Sequence, residues 1–194
     1  GRLNGPGSFR SYLGETYVGE WLSGRMHGQG LYIFANGNKY EGTWVNDKRT
    51  GYGIYNYANG SVYKGNFKNG KREGKGNFKK INKEIYDGDW KADKMDGNGS
   101  YFFENGNVYI GNWVEDMMSG EGLLSFNDGK KYKGSFANNE INGEGTMSYS
   151  DGRTFIGNWV GGSMEGQGLF RDFHGNSYQG GWKNDKINGK GTYN

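Results

Sequence analysis

Tyr17-Val18-Gly19-Glu20-Trp21, followed by Gly28-Gln29-Gly30-Leu31-Tyr32-Ile33-Phe34, is the stretch whose reading decides the fold. A step of 23 residues brings the pattern back at Tyr40, Tyr63, Tyr86, Tyr109, Tyr132, Phe155 and Tyr178, with no insertion or deletion. A fixed period in the 20–50 residue range marks a repeat array. Tyr17, Gly19 and Trp21 fall at i, i+2 and i+4, one face of a strand, and the residues between them across the repeats are mostly polar. Ser23-Gly24, Asn46-Asp47, Asn69-Gly70, Asn138-Asn139 and Asn184-Asp185 then supply the residues of tight hairpin turns. Gly28 to Phe34 reads as the return strand, and Asn36-Gly37, Asn59-Gly60, Asn105-Gly106, Asp128-Gly129 and Asp151-Gly152 close the second turn. No helix fits between these signals.

The expected fold is therefore all-β: one elongated, single-layer antiparallel meander of 23-residue hairpins, coiled by strand twist into a rod. The whole of 1–194 forms the array, with a half repeat over 1–14, full repeats from 17, 40, 63, 86, 109, 132 and 155, and a truncated one from 178. A lone sheet has no second layer, so the glycines are read as side-chain-free pockets, at Gly28 and Gly30 for example, across which rings of neighbouring strands lie. The packing set, which also lines an aromatic groove, is Tyr17, Trp21, Tyr40, Trp44, Tyr63, Phe67, Tyr86, Trp90, Tyr109, Trp113, Tyr132, Phe136, Phe155, Trp159, Tyr178 and Trp182.

Composition agrees. Of 194 residues 39 are Gly and 1 is Pro, hydrophobic residues are only 32%, yet 16% are aromatic. Disordered chains are poor in aromatics, so the polarity signals thin sheet rather than disorder. There is no Cys, hence no disulfide framework or thiol chemistry. No run of about 18 apolar residues offers a membrane-spanning helix. The chain lacks an initiator Met and opens part-way through a repeat, so it is expected to be a piece of a longer protein. Net charge is +3, but from Lys39 to Lys94 there are 13 Lys and Arg against 7 Asp and Glu, and from Asp96 to Lys186 there are 12 acids against 7 bases.

Tyr-x-Gly-x-Trp followed by Gly-x-Gly at this period, as in YVGEWLSGRMHGQGLYIFANG (17–37) and YEGTWVNDKRTGYGIYNYANG (40–60), resembles the MORN (membrane occupation and recognition nexus) repeat. The departures, Phe67, Phe136, Phe155 and Lys83, are mild; the turn at Asn82-Lys83 is expected to be the most distorted. The resemblance implies a non-catalytic scaffold that binds protein partners and itself through its groove and sheet edges, cytoplasmic and at the cytoskeleton or membrane periphery, the cell-division apparatus included. Two alternatives stand beside it: a peripheral module for phosphoinositides or anionic membranes through the basic region from Lys64 to Lys94, and the targeting module of a larger enzyme.

The chemical signals are sparse. A phosphate-cradling Gly-x-Gly loop needs a helix N-terminus behind it, and a strand follows each one here. His27 and His174 lie six repeats apart, and carboxylates such as Glu41, Asp87 and Glu144 show no catalytic pairing, so no catalytic residue, metal site, cofactor or nucleic-acid partner is expected. Lys68, Lys71, Arg72, Lys75, Lys79, Lys80 and Lys83 form the candidate anionic-lipid patch, and Gly189, Lys190, Gly191, Thr192 and Tyr193 the candidate dimer edge.

Overall fold

The alternation of ring, polar residue and glycine does fold as strand and counter-strand throughout. The structure, a computed structural model, describes residues 2–194 and contains seventeen strands and no helix among them. Chain contacts group it into two compact units, the first ending at Met95 and the second starting at Asp96. The first holds β1 (Gly5–Arg10), β2 (Thr16–Leu22), β3 (Arg25–Ile33), β4 (Lys39–Val45), β5 (Lys48–Asn56), β6 (Val62–Lys68), β7 (Lys71–Lys79) and β8 (Ile85–Lys91). β9 (Lys94–Phe102) lies almost wholly in the second. There it is followed by β10 (Val108–Val114), β11 (Met117–Ser125), β12 (Lys131–Ala137), β13 (Glu140–Ser148), β14 (Thr154–Val160), β15 (Ser163–Arg171), β16 (Ser177–Lys183) and β17 (Lys186–Tyr193). Within each unit every strand pairs antiparallel with its neighbours in sequence, an open meander.

Two kinds of turn alternate. At the first, both central residues have positive φ, as at Asn46 (49°) and Asp47 (67°), which gives the mirror-image turn whose twist matches the flanking strands. Where Ala92 and Glu115 stand in this turn (φ 49° and 48°), the backbone is held left-handed without a residue that favours it. The second turn is wider: Phe34 N–H donates to Asn38 O and Gly37 N–H to Phe34 O, both at 2.9 Å. The expected distortion at Lys83 is absent. Lys83 takes φ 72° and closes the same two bonds, Lys80 N–H to Glu84 O at 2.8 Å and Lys83 N–H to Lys80 O at 3.1 Å. The side chain accepts a strained backbone and leaves the turn intact.

The two glycines of each Gly-x-Gly do different jobs, which corrects the expectation of paired pockets. The second lies under the ring. A Cβ on Gly53 would come 2.5 Å from the Tyr40 ring, and one on Gly42 2.6 Å from its hydroxyl. The first is a bulge. Gly42 faces Gly53 and Thr43 faces Thr50, so Gly51 and Tyr52 are extra residues on β5, with Gly51 at φ 60°. Bulges of this kind bend a strand and sharpen its twist, and the shift recurs in β2–β3, β6–β7, β10–β11, β12–β13, β14–β15 and β16–β17.

Repeats are also tied by their turns. Asp47 N–H donates to Met26 O at 3.0 Å, and the Asp47 carboxylate accepts Met26 N–H at 2.8 Å. The side chain thereby extends the ladder one step beyond the strand. Asp93 does the same for Arg72, Asn139 for Met118 and Asp185 for Met164.

Candidate interaction face

All seven inner rings from Tyr17 to Phe155 are essentially inaccessible. Each meets the aromatic two positions beyond its first glycine edge-on, Tyr40–Trp44 at 5.1 Å and 88°, and within a unit is covered by the aromatic of the following repeat, Tyr40–Phe67 at 5.1 Å and 81°. Edge-to-face pairs at such distances are favourable beyond the area they bury. The hydroxyls are satisfied by backbone: Tyr40 donates to Thr43 O at 3.1 Å and Tyr63 to Asn66 O at 3.0 Å. Trp44 and Trp90 reach back with their indole N–H to the glycine of the preceding repeat, Gly30 O and Gly76 O, whereas Trp21 Nε1 is buried without a partner. Phe67 and Phe136, where Trp is expected, keep the packing and forgo that bond. Burial pushes the Tyr40, Tyr109 and Tyr132 hydroxyls up to about 12, with Arg49 opposing the shift at Tyr40. Tyr63 is raised further for the same reason.

These rings are the core, so the accessible surface on this side is built from others. Tyr32, Phe34, Tyr55, Tyr57 and Phe78 form a half-buried ledge in the first unit. Their centroids zigzag at 4.6 Å within a return strand (Tyr32–Phe34, Tyr55–Tyr57) and about 5.7 Å between strands (Phe34–Tyr55 5.7, Tyr57–Phe78 5.6). Tyr101 and Phe103 continue the motif in the second unit at 4.6 Å. Beneath the first-unit ledge lie two guanidinium groups. Arg49 stands over Tyr55 at 5.0 Å and donates to Gly70 O; Arg72 stands over Trp90 at 4.1 Å and pairs with Asp93 at 3.3 Å. The Tyr-x-Gly-x-Trp pattern does not include the ledge, whose rings stand on the return strand and just beyond it. Its signal is the ring two and four residues after the second glycine, Gly30-Leu31-Tyr32-Ile33-Phe34.

The lysine patch is divided between surfaces. Lys68, Lys71, Lys75 and Lys79 project from the face opposite the rings, joined there by Lys64; Lys75 is bridged to Asp89 at 2.7 Å. Arg72 and Lys80 lie on the ring side, Lys80 paired with Glu84 at 2.8 Å, and Lys83 occupies a turn tip. Gly189, Lys190, Gly191, Thr192 and Tyr193 are exposed on β17, with Tyr193 stacked on Tyr178 at 4.8 Å. His27 sits on β3 with Nδ1 buried and unpartnered, while His174 stacks on Phe173 in a turn. No group of three or more His, Cys, Asp or Glu able to hold a metal ion occurs among the described residues.

Among solved structures, the G-box domain of the microcephaly protein CPAP, for which a role in centriole elongation is suggested, is 12% identical with 98% of both chains covered and a TM-score of 0.59. The TCP10 domain of Danio rerio CPAP is 11% identical, with 93% of this chain and 84% of that one covered and a TM-score of 0.51. The TCP domain of SAS-4 (dCPAP) of Drosophila melanogaster, in complex with a proline-rich motif of Ana2 (dSTIL), is 12% identical, with 90% and 88% covered and a TM-score of 0.50. Identities this low speak for a shared fold alone. No curated protein matches the chain. The MORN repeat matches residues 17–39, 40–62, 63–82, 86–108, 109–131, 132–152, 155–175 and 178–194, in step with the ladder of rings, and the chain belongs to the MORN-repeat family.

Proposed function

We propose that the chain is a non-catalytic protein-interaction scaffold whose ring-side ledge receives an extended, proline-rich segment of a partner protein. The observation that carries this reading is the spacing of Tyr32, Phe34, Tyr55, Tyr57 and Phe78. The ledge repeats once per hairpin, two strand spacings or roughly 9.6 Å. A polyproline II helix repeats every three residues, roughly 9.3 Å. A proline at every third position therefore stays in step with successive ring pairs, as in other aromatic-lined proline-binding grooves. The proline-rich motif bound by the SAS-4 domain is in keeping with this reading. So is a cytoplasmic place at the cytoskeleton. Isothermal titration with a Pro-x-x-Pro-x-x-Pro peptide tests it: binding is expected, with a loss of tenfold or more in Tyr55→Ala and Tyr57→Ala. Equal binding of a Gly/Ser peptide, or unchanged binding by the ledge variants, sinks it.

Self-association at Gly189–Tyr193 belongs to the same proposal, since an accessible strand edge pairs readily. A strictly monomeric mass by light scattering rejects it. A second reading rests on Lys64, Lys68, Lys71 and Lys79 sharing the opposite face: attachment to an anionic membrane, each cation contributing about 1 kcal/mol near the surface. Flotation with phosphoinositide vesicles decides it, and binding that survives charge reversal at Lys68, Lys71 and Lys79 excludes this surface.

A further inference from the structure

The face away from the rings carries a trough in the second unit, about 730 Å³ in volume, within the ~300–1,000 Å³ range of ligand clefts. It crosses β12, β13 and β14 over a floor of Gly134, Gly145 and Gly157. Because the missing side chains of these glycines would point toward Tyr132 and Phe155, the floor is bare backbone already engaged in the ladder. Recognition therefore falls to the walls. One wall is polar: Glu121, Ser135, Glu144, Asn158 and Gln167. Ser135 donates to Glu121 at 2.7 Å, while Glu144, next to Ser135 at the bulge of β13, is exposed and forms no ion pair among the described residues. The other wall is Lys133, Thr146 and Ile156. Beside it two aliphatic cross-strand pairs, Ile110–Leu123 and Ile156–Leu169, stand on the same face, with Ile110 and Ile156 about half exposed.

The matching wall of the first unit neutralises itself, for Lys75 bridges Asp89 and Gln29 bonds Thr43. In the second unit two carboxylates are left without a cation. They lie two strands apart, roughly 9.6 Å, and three residues of a polyproline II segment, whose side chains at i and i+3 share a face, span roughly 9.3 Å. Asn158 and Gln167 offer amides that both donate to and accept from a peptide backbone. We infer that the trough is a second binding site, for an extended cationic segment of a protein partner with Lys or Arg at i and i+3. This rests on the reading of the chain as an interaction scaffold but uses a different surface. Lys133 faces the same space from the opposite wall and weakens the attraction for a cation.

The test is fluorescence anisotropy with the full chain and a labelled peptide carrying Lys at i and i+3 among Ala and Gln. Controls are the same peptide with Lys at i and i+1, and one with acetylated lysines. The expected result is saturable binding that weakens with salt, about fivefold weaker in Glu144→Gln, the upper end for a partly exposed ion pair. Lys133→Glu is expected to bind several-fold tighter, a gain that misfolding cannot imitate. Tyr55→Ala is expected to leave this binding unchanged while losing the proline-rich peptide, so the two sites fail separately. Indifference to lysine spacing or acetylation, or equal binding by both trough variants, overturns the inference. Self-association abolished by Glu121→Gln with Glu144→Gln would give the trough to a second copy and overturn it too.

Discussion

The second residue of the return strand is Arg49 and Arg72 in two repeats of the first unit but Met118, Ile141 and Met164 in the second. Both sets cover the same inner rings in the same register, Arg72 opposite Phe67 and Met118 opposite Trp113. The aliphatic residues contribute simple burial. The arginines spread their guanidinium planes over Tyr55 or Trp90 and satisfy their donors on Gly70 O and Asp93. A planar cation with a long apolar stem can replace a thioether here because stacking and backbone carbonyls compensate its charge. The frame is therefore indifferent to this position, and the two units differ in charge without differing in fold.

The largest effect expected to test that common frame is a methyl group under the rings. Gly53→Ala in the first unit and Gly145→Ala in the second both drive Cβ into a tyrosine ring or hydroxyl. Each should abolish the folded circular-dichroism signal of its repeats; tolerance in one unit only would mean the two rest on different packing. Next come the large rings. Trp90→Ala and Trp159→Ala should each cost about 3–5 kcal/mol, roughly 10 °C in melting temperature for a chain of this size. Trp90→Ala should be the worse by about 0.5–1 kcal/mol because Arg72 loses its stack. Equal drops would show that the stack contributes nothing.

Alkali probes both units at once. Tyrosine hydroxyls ionise near 10 when unfolded, and near 12 at Tyr40, Tyr109 and Tyr132 when folded. The folded state holds these protons more tightly, so its stability is intact below pH 10 and declines as pH rises from about 10 to 12. Melting temperature against pH should fall in that window; a flat profile there would contradict the burial of these hydroxyls. The smallest changes should be Arg72→Met, within about 1 kcal/mol because Asp93 still accepts the residue-72 N–H, and Lys71→Ala, within about 0.5 kcal/mol as an exposed residue. A fall of several kcal/mol in Arg72→Met would make the cation a structural requirement.

Much of this was legible from spacing. The period placed every hairpin; of the rings the alternation singled out, Trp21 is only half-buried, and the alternation passed over the buried Tyr101. What spacing could not separate were residues of one type in two geometries. Gly51 and Gly53 look alike in sequence, yet one supplies a positive φ at a bulge and the other an empty place beneath Tyr40, because the extra residues on β5 shift the register between them. The lysine run around β7 reads as one patch, but the alternation of the strand sends Arg72 and Lys80 to the ring side. The ledge at Tyr32 and Phe34 and the trough at Gly134 depend on the folded surface, where two rows of side chains become neighbours only across strands.

The clamp at Asp47 gives the array a direction. Within a unit, the cover of an inner ring, and the acceptor for the second amide of β3, β7, β11 and β15, come from the repeat that follows, never from the one before. Within a unit, a local melting event in a later repeat strips the shelter from its predecessor, whereas the reverse leaves the successor's own hairpin bonds whole. Amide exchange should accordingly spread backwards along the chain from any weakened repeat, so that a lesion is felt upstream of where it is made.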